Sequence, residues 1–410
     1  MVSEIILISI HGEDRPGVTA SVTEILGRYG TTILDVGQAD IHHTLSLGFL
    51  VKIDDSNDSG NIMKEILFKC SELGIQVRFS PVSSDEYNEW AGKQGRHRYV
   101  VTMLGHAITA RQMALVSKAV AEQHLNIDSI KRLSGRPSLD VRELENVRSC
   151  IEFSVRGQLL DKEALSQRFM EISSQENVDI SFQKDDLYRR NRRLVCFDMD
   201  STLIKTEVID ELADRAGVGD QVRAITESAM RGEIDFSESF RRRVALLKGL
   251  DESVMRNIAE NLPIMDGADR LMGVLKRCGF KIAILSGGFT YFGRYLQKRF
   301  GVDYVYANQL EIVEGKLTGN YVGDIVDGKR KAELLNLIAQ VEKIELEQVI
   351  AVGDGANDLP MLNLAGLGIA FHAKPRVAAN SRQSIKTIGL DGVLYFLGFK
   401  DSNLGEQGRM

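Results

Sequence analysis

Leu194–Thr202 reads LVCFDMDST: four apolar residues, two carboxylates one residue apart at Asp198 and Asp200, then two hydroxyls. The apolar run is the length of a short buried strand, and the carboxylates fall at its end. Two desolvated carboxylates this close repel each other. They coexist if a divalent cation lies between them or if one keeps a proton. Taken alone, an acidic loop closing a strand looks the same. The residues downstream decide the architecture. From Phe280 the chain alternates strand-like and helix-like runs: FKIAILS, FTYFGRYLQKRFG, DYVYAN, GKRKAELLNLIAQV, QVIAVGDG, NDLPMLNLAG and LGIAF. Alternating βαβα predicts a doubly wound, Rossmann-like parallel sheet in an α/β domain. Between its first two strands, Glu207 to about Lys276 is rich in helical patterns and poor in strands. That block reads as a helical cap insertion, about 206–276. The catalytic location expected in such a domain is the carboxyl edge of the sheet.

Three further motifs fall on that edge. VGDGANDLP places Asp354 after a strand and Asn357 and Asp358 at the start of a helix. Carboxylate and amide oxygens are the ligands that Mg2+ prefers, and Mn2+ accepts the same set. Helix capping by Asn357 or Asp358 is an equally simple reading and is compatible with the first. ILSGG puts Ser286 after a strand, with Gly287 and Gly288 predicted to open the next helix. A hydroxyl and free N–H groups there suit a phosphate dianion, or serve simply as a cap. GKRKAELL sets Lys329 and Lys331 at a helix start, where the macrodipole disfavours cations. A partner anion explains a lysine there, and so does a solvated basic turn.

The first half carries a degenerate repeat. Each unit reads βαββαβ, with helices VTASVTEILGRYG and NIMKEILFKCSELG in the first and ITARQMALVSKAVAEQHL and DKEALSQRFMEISSQEN in the second. This order implies two ferredoxin-like antiparallel sheets, each with both helices on one face. The polar stretch Arg136–Glu145 separates two strands of the second unit. The boundaries expected are 1–85, a polar linker at 86–97 that overlaps SSDEYNEWAGKQG, 98–184, and 185–410 for the α/β domain. In the first unit EDRPGV places Asp14, Arg15, Pro16 and Gly17 between strand and helix. The helix N-terminus there offers donors to a carboxylate, and Asp14 a partner for an ammonium. A capped turn without ligand is the plainer reading.

Composition bounds the rest. The 410 residues are 43% hydrophobic and 26% charged, as in soluble globular chains. With 57 acidic against 51 basic residues, the net charge of -6 gives no footprint for nucleic acid. No apolar run reaches bilayer length, and MVSEIILISIHGEDRPG reads as a first strand, not a leader, so a cytoplasmic protein is expected. Cys70, Cys150, Cys196 and Cys278 are widely spaced and are expected to be buried thiols in a reducing compartment.

Together, DxDST, SGG, a helix lysine and GDGxND, in this order over Arg193–Phe399, resemble the haloacid-dehalogenase-like hydrolase superfamily. TEVIDELA, FSESFRRRVALLKGL, YVGDIVDGKRKA and GIAFHAKP resemble its phosphoserine phosphatase branch. The resemblance implies Asp198 as nucleophile and Asp200 as general acid/base. It implies Mg2+ held by Asp198, Asp354 and the Asp200 backbone carbonyl. Ser286, Gly287 and Lys331 would hold phosphate, with Asn357 and Asp358 supporting the site. Lys331 is preferred to Lys329 because its distance from Asp354 resembles the family's spacing. In the cap, Glu207 would take the ammonium and Arg243 the carboxylate of phosphoserine, with Phe236 lining the pocket. The activity implied is hydrolysis of phosphoserine to serine, closing serine biosynthesis. The same chemistry on another phosphomonoester or a phosphoprotein, or an inert amino-acid-binding regulator, are the other readings. Residues 4–82 and 98–183 resemble ACT domains, which implies a homodimer paired through these units and serine as an effector.

Overall fold

The computed structural model describes residues 3–54, 58–92, 97–136 and 148–404, and the statements below concern these residues. Most of the polar stretch Arg136–Glu145 lies outside them. The chain divides into two compact units, Met1–Arg96 and His97–Met410.

In the first unit, β1 (Glu4–Glu13), α1 (Val18–Arg28), β2 (Thr32–Ile41), β3 (Thr44–Ile53), α2 (Ser59–Glu72) and β4 (Gln76–Val82) follow one another. The sheet order is β2-β3-β1-β4, all antiparallel. Alternation places Ile6, Ile8 and Ile10 of β1 and Leu47, Phe49 and Val51 of β3 on one face. There they pack against Val22, Ile25 and Leu26 of α1 and Ile62 and Ile66 of α2. The stretch read as linker is not all irregular: α3 (Ser84–Gly92) is helical. The cause is a reciprocal cap. The Glu86 carboxylate accepts from the Ser83 N–H and hydroxyl, and Ser83 Oγ accepts from the Glu86 N–H.

The second unit opens with the same order. Here β5 (Arg98–Gly105), α4 (Ala110–Glu122), β6 (Asn126–Arg132), β7 (Ser149–Arg156), α5 (Lys162–Glu176) and β8 (Asp179–Lys184) form a sheet β6-β7-β5-β8. After a short connector comes β9 (Leu194–Phe197), buried throughout. Four helices follow: α6 (Val208–Arg215), α7 (Gly219–Met230), α8 (Phe236–Leu246) and α9 (Ser253–Glu260). The insertion's two stems meet at the Ile204–Ile264 bridge, beside a Lys205 N–H to Pro263 carbonyl bond. Consequently α10 (Ala268–Arg277) follows the return and packs against the sheet, so the cap closes before the residue 276 taken as its end.

The remaining elements are β10 (Lys281–Phe289), α11 (Thr290–Phe300), β11 (Tyr304–Val313), β12 (Lys316–Val322), α12 (Gly328–Glu342), β13 (Val349–Gly353), α13 (Leu359–Leu364), β14 (Leu367–Phe371) and β15 (Gln383–Ile385). The sheet runs β12-β11-β10-β9-β13-β14-β15, parallel except at the β11/β12 edge. The hairpin to β12 turns through Glu314 and Gly315, both at positive φ. Strand order reverses between β9 and β13, the switch point where such sheets open a crevice at their carboxyl ends. No helix is long and apolar enough to cross a membrane.

Candidate active site

The two strands flanking the switch point each end in an aspartate. The Asp198 N–H donates to the Val352 carbonyl, continuing the β9–β13 pairing past the strand, so both chains leave the sheet together. Asp198 follows β9 and Asp354 follows β13. Asp358 is brought back by a turn of 3-10 helix at Ala356–Asp358, with the Gly355 N–H donating to its carboxylate. Side-chain oxygens of Asp198, Asp354 and Asp358 come within 4.8 Å of one another. Gly353 is a requirement of this turn: a Cβ there would stand 2.5 Å from the Asp358 carboxyl carbon.

Lys331 enters from the first turn of α12 and is fully buried. Its Nζ donates to Asp198 Oδ1 and to Asp358 Oδ1, each at 2.7 Å. Burial alone would lower this ammonium's pKa, but Asp198 and Asp358 hold it above its usual value. Lys329, two residues earlier, is exposed and reaches only Glu333. The Thr202 hydroxyl lies 3.3 Å from Asp354.

Burial first, then the neighbouring Asp358, pushes Asp198 up to about 7. Burial, then Asp198 and Asp358, pushes Asp354 up to about 8. Three crowded carboxylates with one ammonium among them leave negative charge to be offset. Hard oxygen donors in this number suit a divalent cation. The residues present therefore fit a metal ion, held by Asp198 and Asp354 with Asp358 alongside. A pH effect follows. Native Asp198 and Asp354 keep protons that an unfolded chain, with aspartate near 3.8, releases. The native state then binds more protons between about pH 4 and 8, so metal-free stability falls as pH rises through that window. Thermal melts in EDTA should show Tm falling over this range. Added Mg2+ should flatten the slope; a slope unchanged by the ion would contradict the assignment.

Asp200 points elsewhere. One carboxylate oxygen accepts the Val208 N–H at the first turn of α6. The other is so close to Gly288 that a Cβ there would meet it at 2.3 Å. Burial, Glu207 and Asp198, in that order, raise its pKa well above the usual range. It favours the protonated form more than a free aspartate does and is not one of the three clustered carboxylates.

Ser286 and Gly287 lie at the end of β10, next to β9. Ser286 is buried and its hydroxyl accepts the Gly288 N–H. The glycines do not open the helix as predicted. They stay extended, and α11 starts at Thr290 after an extended Phe289. Asn308 fixes this loop: its side chain donates to the Gly287 carbonyl and accepts the Val326 N–H. Asn357 is half-buried, its backbone packed so tightly on Gly328 that a Cβ there would clash.

Above the carboxylates stand cap residues. Glu207 is solvent-accessible and accepts from the Ser201 hydroxyl; the protein around it raises its pKa by desolvation. Burial lowers the Arg243 guanidinium's pKa against the opposing pull of Glu207, Asp210 and Asp200. Its Nε donates to the Ser239 carbonyl, and its terminal nitrogens have no hydrogen-bond partner among the described residues. Half-buried Phe236 abuts Gly287, and its ring stacks on Phe240. Asp14, Arg15 and Gly17 form an exposed turn before α1, where Arg15 pairs with Glu13. Sequence reasoning did not single out Thr202, Ser201 or Asn308. The first two stand inside the DxDST motif; Asn308 carried no signal of its own.

Residues 192–366 match the haloacid dehalogenase-like hydrolase family, and residues 4–80 and 97–183 match ACT domains. This is a phosphohydrolase core with aspartates at its switch point, preceded by two ACT domains. The chain is 38% identical over 393 residues to phosphoserine phosphatase of Streptomyces coelicolor, covering 96% of this chain and 92% of that one. It is 39% identical to phosphoserine phosphatase SerB2 of Mycobacterium tuberculosis, covering 96% and 93%. A crystal structure of a probable phosphoserine phosphatase from Vibrio cholerae superposes with TM-score 0.57 at 34% identity, over 75% of this chain and 87% of that one. The chain belongs to the phosphoserine phosphatase family.

Proposed function

We propose that this protein hydrolyses O-phospho-L-serine to L-serine and inorganic phosphate through an aspartyl-phosphate on Asp198. The observation that carries the reading is the buried ammonium of Lys331 bridging Asp198 and Asp358, beside Asp354. A cation at the cluster, Mg2+ by preference with Mn2+ served by the same oxygens, would supply charge neutralisation for the transferring phosphoryl group. Asp198 and Asp354, with the Asp200 backbone carbonyl, would hold it.

The Asp198 carboxylate oxygen attacks phosphorus as the bond to the serine oxygen breaks. Asp200, whose pKa is raised by burial and by the neighbouring Glu207, gives a proton to that leaving oxygen. Asp200 then takes a proton from water, whose oxygen attacks phosphorus and frees Asp198 and phosphate. Lys331 holds Asp198 in place and offsets charge on the phosphoryl oxygens. Ser286 and the adjacent Gly287 N–H would hold those oxygens.

Selectivity resides in the cap. Glu207 faces the substrate ammonium, and Arg243 offers a planar fork to its carboxylate. Lysine cannot reproduce the fork. Arg243→Lys should raise KM for phosphoserine by about tenfold or more, the scale of one charge-assisted hydrogen bond, with kcat changed less. An unchanged KM would remove Arg243 from the pocket.

The ACT domains are the place for feedback. The exposed Asp14–Gly17 turn would take serine, and two chains would pair through these domains as a cytoplasmic homodimer. Calorimetry on the full chain should show serine binding that Asp14→Ala weakens; no such change would discount that turn. The test of the activity itself is phosphate release from phosphoserine with and without EDTA. Release only without the chelator supports the proposal, and equal release in both contradicts it.

A further inference from the structure

A cavity of about 490 Å3 lies at the edge of the hydrolase sheet opposite the aspartates. Arg193 precedes β9 and Phe280 precedes β10, so both border the amino ends of the central strands. The catalytic aspartates follow the carboxyl end of β9, about 15 Å away at the rise of a strand. The cavity is lined by Arg189, Arg190, Arg192 and Arg193 on one side and by Phe280, Leu397 and Phe399 on another.

Its charge is only partly paired. Arg189 pairs with Glu152 of β7, and Arg190 with Asp185. Arg192 bonds the Glu347 and Val349 carbonyls, and Arg193 bonds the Asn191 side chain. Among the described residues neither of these last two has a carboxylate within ion-pair distance. Two guanidinium Nε donors, on Arg189 and Arg192, are buried without any hydrogen-bond partner. Arg189 itself is only 6% exposed. Buried donors are normally satisfied, so two unpaired ones behind the cavity wall are uncommon. Burial lowers Arg192 to about 10; Asp186 and Glu347 oppose the shift and Arg189 adds to it.

We propose that this cavity binds a small organic phosphate, its phosphate on the arginines and an apolar or planar body against Phe280 and Phe399. Guanidinium forks match phosphate oxygens two at a time, which an ammonium does not do. The volume suits a metabolite of nucleotide size and greatly exceeds a bare ion. Because Arg189 reaches Glu152 on the second ACT domain, the occupant sits where that domain meets the hydrolase core.

Cys278 reports on this site. It lines the cavity and is exposed, whereas Cys70, Cys150 and Cys196 are buried. The experiment is the rate of Cys278 modification by a disulfide reagent in the full chain, with AMP as the probe and sodium chloride matching ionic strength. At about ten times Kd, mass action predicts a slowing of about tenfold. The doubly substituted variant Arg190→Gln/Arg193→Gln, altered only at exposed positions, should lose that protection while melting like the parent. No protection by AMP at any concentration up to millimolar overturns the proposal. Protection equal in the charge-removed variant, or equal with sodium chloride alone, also overturns it.

Discussion

Asp198→Asn is expected to abolish phosphate release from phosphoserine while leaving the fold intact. The amide has nearly the carboxylate's shape but cannot attack phosphorus. Loss of a covalent nucleophile costs at least about 10^4 in kcat where such residues have been removed from other enzymes. Stability should hardly suffer, because two effects oppose. Lys331 loses one of its two anionic partners but keeps Asp358 at 2.7 Å. Meanwhile the cluster loses the repulsion that raises both Asp198 and Asp354. Circular dichroism and a melt check the fold, and a phosphate assay checks turnover. Substantial residual activity in a folded variant would show that another group attacks phosphorus.

Lys331→Met should damage both stability and rate. Methionine fills similar volume, so the cavity term is small. What remains is the cluster of Asp198, Asp354 and Asp358, which then lacks its ammonium. Removing one partner of a buried ion pair destabilises by about 3–5 kcal/mol. The carboxylates would respond by taking protons, which disarms Asp198 as a nucleophile near neutral pH. Loss of the charge facing the phosphoryl group should lower kcat by a further ~10^2 to 10^3. Excess Mg2+ should recover part of the stability, since it offsets the same charge, but not the rate. Lys329→Met serves as the control: that lysine is exposed and should be dispensable. If Lys331→Met melts like the parent and turns over normally, the buried bridge has no role.

The features legible in the sequence are those fixed by short-range pattern. Asp198 and Asp354 were readable because each directly follows a fully buried strand, and strand ends at a switch point converge. The βαββαβ order was readable from alternation in β1 and β3 and the apolar stripes of α1 and α4. What escaped depended on backbone detail or tertiary contact. The Ser83–Glu86 cap turns a polar linker into α3, and polarity masked it. The β12 hairpin hangs on positive φ at Glu314 and Gly315, where glutamate is an uncommon choice. Asp358 reads as a helix cap, yet the 3-10 turn at Ala356 swings its carboxylate toward Asp198. Gly287 and Gly288 stay extended because Asn308 holds the loop from β11, a contact no local pattern reveals. Cys278 is exposed because α10 ends there, against the expectation that all four thiols are buried.

The most direct test of covalent catalysis is to stop the enzyme with acid during turnover of phosphoserine and map the peptides by mass spectrometry. Acid slows breakdown of an acyl-phosphate enough to catch it. A phosphoryl adduct on the peptide containing Asp198, absent from Asp198→Asn and from enzyme quenched in EDTA, is the result expected. Full turnover with no adduct on that peptide, or an adduct on another residue, would contradict it.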